Sequence, residues 1–294
     1  MTPSRELRFP AAVPPTLMDR CRAYLDVTPD GIISHASAAV LHGLLLPWRL
    51  ENPPDVDVTR PRGEKEVRRK GVNGHALCLE PWEVTTVAGI AITTVERTLL
   101  DLAPHLGIDE LVVIADQIVC EHHRSFGREV SPRVELGRLR RYLSGHSGAR
   151  GMKRLRAAMG LVRVGSDSPP ETNLRLLIMR SPLPNFEHNV EIKDAYGRGK
   201  VGPDLACEEY TTCAEYDGLH HFTPAQQSSD HDRDFVTKSL GWHQVLINKD
   251  DMRAGEIVVV TKIARMLVAG GWKDPQNLAQ RSIEGRLNTR WDFG

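Results

Sequence analysis

The stretch GPDLACEEYTTCAEYDGLHHF, residues 202–222, sets three carboxylates, Asp204, Glu215 and Asp217, into what otherwise reads as a short β-hairpin. Carboxylates are depleted in strands, and like charges facing one another across strands repel. With Glu209 and Tyr210 at the turn, Cys213 faces Ala206 and Glu215 faces Asp204, while Glu215 and Asp217 stand two apart and share a face. Two charges about 4 Å apart repel by about 4 kcal/mol at an effective dielectric of about 20. Either one carboxyl keeps its proton or a cation sits between them, and a divalent ion with hard oxygen ligands, Mg²⁺ or Mn²⁺, answers three acids most economically. The competing reading is an exposed hairpin whose acids are simply solvated.

The flanks of this hairpin alternate helix and strand. SPPETNLRLLIMRS begins at Ser168 as N-cap with Pro169 in the first turn, and FEHNVEIKD alternates as a strand before the turn DAYGRGK. VGPDLACEE and TCAEYDG are two further strands, DHDRDFVTKSLG is a helix stopped by Gly241, WHQVLIN is a strand, and EIVVVTKIARMLVAGG is a last helix. Residues 166–271 thus read α-β-β-β-α-β-α, followed by a polar tail, 272–294. In the first half, SHASAAVLHGLLLP is a helix capped by Ser34, DVDVTR is a strand, and PRGEKEVRRKG is a charged turn or wing. TTVERTLLDLAPHL opens with a capping box, Thr93 with Glu96, and DELVVIADQIVCEHH starts at Asp109. Residues 1–132 therefore form a small α+β module of winged-helix character, and 133–165 is a basic connector.

The chain of 294 residues is long enough for two cores, and its 40% hydrophobic and 26% charged composition is that of an ordinary globular protein. The 38 basic residues balance the 38 acidic ones, so the total points to no partner. The distribution does. Arg133, Arg138, Arg140, Arg141, Arg150, Lys153, Arg154, Arg156 and Arg163 face one acid, Glu135, in a basic belt, while residues 201–251 are strongly acidic. The cysteines at 21, 78, 120, 207 and 213 show no ligand-like spacing; with no secretory signal peptide, they read as reduced thiols of a cytoplasmic protein. No apolar run approaches the roughly 18–20 residues of a membrane span.

ETNLRLL, GPDLA, AEYDGLHHF and DHDRDFVTKSLGWHQVL together resemble the very-short-patch-repair-like endonucleases of the PD-(D/E)XK superfamily, whose core is αβββαβ. The resemblance spans roughly 166–270. It implies that Asp204, after Pro203, and Glu215 ligate the metal, and that Glu171 approaches the site from the first helix. Asp217 stands where the wider superfamily has its catalytic lysine, in the E-x-D-G form common in this branch. His221 falls on the branch's usual histidine, and Asp232 and Arg233 match its D-R helix. Competing structural accounts exist. Glu171 is equally placed to complete a cap with Ser168, His220 and His221 are equally loop residues, and Arg233 can pair with Asp230 or Glu215. The activity implied is Mg²⁺-dependent (or Mn²⁺-dependent) endonucleolytic or nicking hydrolysis of DNA, in repair or phage defence.

SHASAAVLHGL, ITTVERTLLDLA and IADQIV resemble the AbiEi-type abortive-infection antitoxins, over roughly residues 30–120. That likeness implies DNA contact, with a toxin or another defence-system protein as a further partner. Arg60, Arg62, Lys65, Arg68, Arg69 and Lys70 fit a wing over phosphates, and the belt that includes Arg154 fits a phosphate-tracking segment. The alternative function is a non-catalytic, antitoxin-like transcriptional regulator with a degenerate nuclease fold.

Overall fold

The computed structural model of the chain describes residues 14–61, 66–122, 130–166, 168–218 and 233–281. The protein is mixed α+β, and its contacts divide it into two compact units. Unit 1 comprises the chain up to Val119 together with Pro132–Val162; unit 2 comprises Cys120–Ser131 and the chain from Arg163 onward. Among the described residues no helix is long and apolar enough to cross a membrane.

In unit 1 the order is α1 (Leu17–Leu25), β1 (Ile32–Ile33), α2 (His35–Leu41), α3 (Trp48–Glu51), β2 (Val56–Pro61), β3 (Val72–Leu77), β4 (Val84–Val87), β5 (Ile90–Thr93), α4 (Val95–Leu102), α5 (Ile108–Val119), α6 (Leu136–Gly145) and α7 (Met152–Leu161). One sheet runs β3-β2-β1-β5-β4. Strand alternation sorts β2: Val56 and Val58 join Cys21, Tyr24, Ile33, Ile90 and Ile92 in one core cluster, whereas Asp57 and Thr59 bond to serines at the start of α2.

Several local expectations need correction. β2 and β3 run parallel, Val56 opposite Val72 and Pro61 opposite Leu77, so the charged segment between them is a crossover and not a hairpin wing. A Cβ at Gly74 would stand 2.2 Å from the Val67 carbonyl oxygen, which places that crossover against the strand it enters. Thr94, not Thr93, caps α4, its hydroxyl accepting from Arg97 N, while the Thr93 hydroxyl is buried against Thr98 at 2.8 Å. Glu110, not Asp109, closes the start of α5 by accepting from Gly107 N at 2.9 Å. The stretch expected as a connector is largely α6 and α7, whose Leu139, Leu143, Leu155 and Ala158 are buried. Leucines at helical spacing under a charged surface hold these helices to unit 1; each fully buried leucine contributes roughly 1.5–3 kcal/mol.

Unit 2 runs α8 (Pro169–Arg180), β6 (Ile192–Lys193), β7 (Gly199–Val201), β8 (Leu205–Cys207), β9 (Thr212–Asp217), α9 (helical over 233–239), β10 (His243–Asn248), α10 (Lys249–Ala254) and α11 (Glu256–Ala269). The strand expected over FEHNVEIKD is reduced to β6 and a single bridge, Glu187 to Ala206, because Asn189 between them takes a left-handed φ of 57°. The sheet β10-β9-β8 pairs β8 with β9 antiparallel and β9 with β10 parallel. It is covered on both faces. Leu205, Cys207, Ala214, Val245 and Ile247 pack on Leu174 and Ile178 of α8 and on Val259, Ile263 and Leu267 of α11. On the opposite face Ala206 and Cys213 meet Ile192, Val201, Val236 and Leu240. Two-sided burial explains why LAC and TCA carry no polar alternation.

Candidate functional site

The hairpin holds the register read from its sequence. Leu205 pairs with Ala214, Ala206 with Cys213 and Cys207 with Thr212. The turn is longer than two residues: a 3₁₀ turn over Glu208–Tyr210 and a left-handed Thr211, φ 42°, link the strands without changing the facing pairs. Extended one residue beyond the last ladder pair, this register puts Asp204 opposite Glu215 on the face that carries Ala206 and Cys213. The Asp204 carboxylate accepts a hydrogen bond from Tyr216 N at 2.8 Å, which anchors it to the opposing strand. Cys213 senses both acids: burial pushes its thiol up to about 12, and the charges of Glu215, Asp234 and Asp204 push the same way against Arg233.

Arg233, at the start of the described part of α9, donates to Glu215 Oε1 at 3.2 Å and to the Gly202 carbonyl at 2.9 Å. It ties the helix to β9 and to the segment that leads into β8. Behind the site, His188 donates from Nδ1 to the Asp204 carbonyl at 3.0 Å. Burial, then the charge of Arg175, pushes His188 down to about 4, so it is neutral at physiological pH.

Not all of the expected trio converges. Asp217 is exposed at the end of β9, opposite Asn248, and among the described residues the hairpin acids do not form a three-residue ligand cluster. The acidic centre is a pair. Glu171 lies in the first turn of α8, where the Ser168 hydroxyl donates to its carboxylate at 2.7 Å and accepts from its amide. His220, His221, Asp230 and Asp232 lie outside the described residues.

Of the cations expected to meet DNA, Arg62 and Lys65 also lie outside the described residues. Arg68 and Lys70 are exposed and Arg69 is half-buried on the crossover between β2 and β3. Arg154 is exposed too, and one end of its side chain is anchored to backbone. Its guanidinium donates to the carbonyls of Leu106 at 2.7 Å and Pro104 at 3.3 Å, just beyond α4. Arg140, Arg141, Arg150, Lys153 and Arg156 remain exposed on α6, α7 and the turn between them. Arg138 is exposed as well, with its guanidinium on Glu96 at 2.9 Å.

A second constellation, in unit 1, was missed by sequence reasoning. Asp57 on β2 receives His75 Nε2 at 2.9 Å and Asn73 Nδ2 at 3.2 Å on Oδ1, and the amide and hydroxyl of Ser37 at 3.2 Å on Oδ2. His35 stacks on His75 with ring centroids 3.7 Å apart, and His105 meets His35 edge-on at 6.0 Å. Burial above all, then the charge of His75, pushes His35 down to about 3. Burial pushes the Asp57 carboxyl up, but the hydrogen bond from His75 and the charges of the two histidines outweigh it, leaving it below its ordinary value. His35 also holds a left-handed φ of 49°, a conformation that costs a residue with a Cβ about 1 kcal/mol or more. One local signal was available: Asp57 sits between two valines of an alternating strand, as unusual a place for a carboxylate as the hairpin.

No protein-family model and no curated protein gives a match to the chain.

Proposed function

We propose that unit 2 is a metal-dependent endonuclease or nickase that hydrolyses phosphodiester bonds in DNA, built on a PD-(D/E)XK-like core, and that unit 1 carries an AbiEi-like module contributing DNA contacts. The observation that carries this reading is the register of β8 and β9. Continued one residue past a ladder buried on both faces, it brings two hard carboxylate donors, Asp204 and Glu215, opposite each other. That donor set suits Mg²⁺ or Mn²⁺. A divalent ion bound there lowers the pKa of a coordinated water and neutralises charge on the scissile phosphate.

The chain's own residues have separable roles in this scheme. The Tyr216 amide fixes Asp204, and Arg233 orients Glu215, the two residues that would hold the ion. His221 is the proton-transfer group the family resemblance supplies. Exposed Arg140, Arg141, Lys153 and Arg156 track phosphates without reading sequence. The test is nicking of supercoiled plasmid with Mg²⁺ and with chelator, in wild type and in Asp204→Asn. The amide oxygen of asparagine can still accept from Tyr216 N, so the variant keeps the hairpin while removing the charge. Nicking that survives the substitution overturns the proposal.

The Glu215–Arg233 ion pair favours a second reading. In a non-catalytic regulator, Arg233 replaces the ion as the permanent countercharge. That protein binds DNA and never cuts it, with or without Mg²⁺.

A further inference from the structure

The cluster formed by the start of α2 with β2 and β3 lies outside everything the nuclease reading uses. His35, Asp57 and His75 each offer one ligand atom, all within 4.8 Å of one another. We propose that these three residues bind a first-row transition-metal dication of the Zn²⁺ class, with His105 or water completing the coordination. Two imidazoles and a carboxylate form the mixed nitrogen–oxygen set that such ions prefer, and a poor set for Mg²⁺.

Two of the three ligands, His35 and Asp57, are held from behind as metal ligands usually are. The tautomer of His35 that donates Nδ1–H to Ser34 Oγ, 2.9 Å away, leaves the lone pair on Nε2. Ser34 is in turn fixed by the Thr59 hydroxyl at 2.7 Å. Asp57 is gripped through its second oxygen by Ser37, leaving Oδ1 toward the histidines. His75 Nε2 and Asp57 Oδ1 are 2.9 Å apart. Ligands at about 2.0–2.1 Å in a tetrahedral site are about 3.3 Å apart, so replacing that hydrogen bond with an ion asks for a few tenths of an ångström.

The site has an entrance. A cavity of about 190 Å³ is lined by His35, Asp57, Asn73, His75, His105 and Arg49. Three protein ligands facing a cavity are the pattern of a site that keeps a position for water or substrate, unlike a closed structural site. The stacked rings must change on loading: their planes are only 16° apart, and an ion lies in the plane of each imidazole it binds. His75 is the ring with room to swing, its side chain 21% exposed against 7% for Asp57.

The test uses the full-length chain stripped with chelator, titrated with Zn²⁺ against a chromophoric chelator and with Co²⁺ followed by its visible absorption. The expected result is one tightly bound ion per chain in wild type, any ion on the carboxylate pair of unit 2 being held more weakly. Affinity should fall roughly tenfold or more in His75→Gln and in His35→Asn, asparagine being chosen because it tolerates a left-handed φ. Asp204→Asn, in the other unit, should leave the affinity of that tight site unchanged. Absence of stoichiometric binding overturns the proposal, as does wild-type affinity in both histidine variants. A parallel loss in Asp204→Asn places the ion at the hairpin and overturns it too. Should either histidine variant lack a cooperative melt, wild type alone decides: Zn²⁺ must protect His75 from carbethoxylation, read by peptide mass spectrometry, and unchanged modification refutes the site.

Discussion

Replacing Arg97 with methionine should loosen unit 1 in a way that depends on pH. Arg97 on α4 donates to Asp101 at 2.8 Å, to Glu83 at 3.0 Å and to the Cys78 carbonyl at 3.0 Å. The Glu83 and Asp101 side chains are only 1% and 3% exposed, so removing the cation strands two acids out of water. Breaking a buried pair by deleting one partner costs about 3–5 kcal/mol, in line with about 4 kcal/mol for unit charges about 4 Å apart at a dielectric of about 20. Glu83 keeps Tyr142 and His146 on one oxygen and the Glu80 amide on the other, so Asp101 bears most of the loss.

Burial already raises Asp101 to about 6 with Arg97 beside it. Its folded pKa therefore exceeds its unfolded value of about 3.9, and its contribution to stability falls as pH rises through that window. Without Arg97 the upper edge of the window moves higher still. The variant should thus lose about 3–5 kcal/mol at pH 8 and distinctly less at pH 5.5, where Asp101 takes up a proton. Amide exchange of α4 and α5, read peptide by peptide, isolates this unit where a single global melt does not. At pH 8 the predicted loss corresponds to exchange roughly a hundred- to several-thousand-fold faster, at about 1.4 kcal/mol per tenfold. Unchanged protection, or an equal loss at both pH values, would refute the ion-cluster argument.

Other expectations follow from single contacts. In Gly270→Ala the new Cβ would stand 2.0 Å from the Tyr210 carbonyl in the hairpin turn, so unit 2 should lose roughly 1–3 kcal/mol in urea unfolding. His188 stays neutral in the folded chain down to about pH 4 but protonates near 6.5 when unfolded. Its stabilising contribution is complete above pH 6.5 and falls by about 1.4 kcal/mol per unit as the pH drops toward 4. His188→Asn, whose amide can still donate to the Asp204 carbonyl, should flatten the pH dependence of unit 2 by that amount, checked by denaturant titrations at pH 7 and 5. Neutralising Arg140 and Lys153 together should flatten the slope of log affinity for duplex DNA against log salt by about 2, whereas Arg154→Ala should leave the slope alone and reduce stability.

The parts of the structure legible in the sequence are the local ones. The hairpin register followed from alternation and turn parity, and both survive a turn two residues longer because lengthening it symmetrically preserves the facing pairs. The leucine stripes of α4 and α8 were legible for the same reason, whereas α6 and α7, whose buried leucines are interleaved with arginines, read as a connector. What could not be read is assembled by distant pairing. Nothing near residue 60 announces that β2 and β3 run parallel, and that arrangement is what brings His75 onto Asp57 and turns an expected wing into a crossover. The carbonyl contacts of Arg154 and Arg156 were not legible, because charge density marks a surface without telling which cations also hold nearby backbone. The exposure of Asp217 was not legible, because alternation assigns a face but not the point where the strand leaves the covered sheet.

Conversion of supercoiled plasmid to open circle, by wild type and by Asp204→Asn with Mg²⁺ and with chelator, tests the central claim most directly. Nicking by wild type with Mg²⁺ alone, lost in the variant while its thermal melt is unchanged, is the predicted outcome. Intact plasmid under every condition, with DNA still bound, would contradict it and leave the pair Glu215–Arg233 as a countercharge in a protein that holds DNA without cutting it.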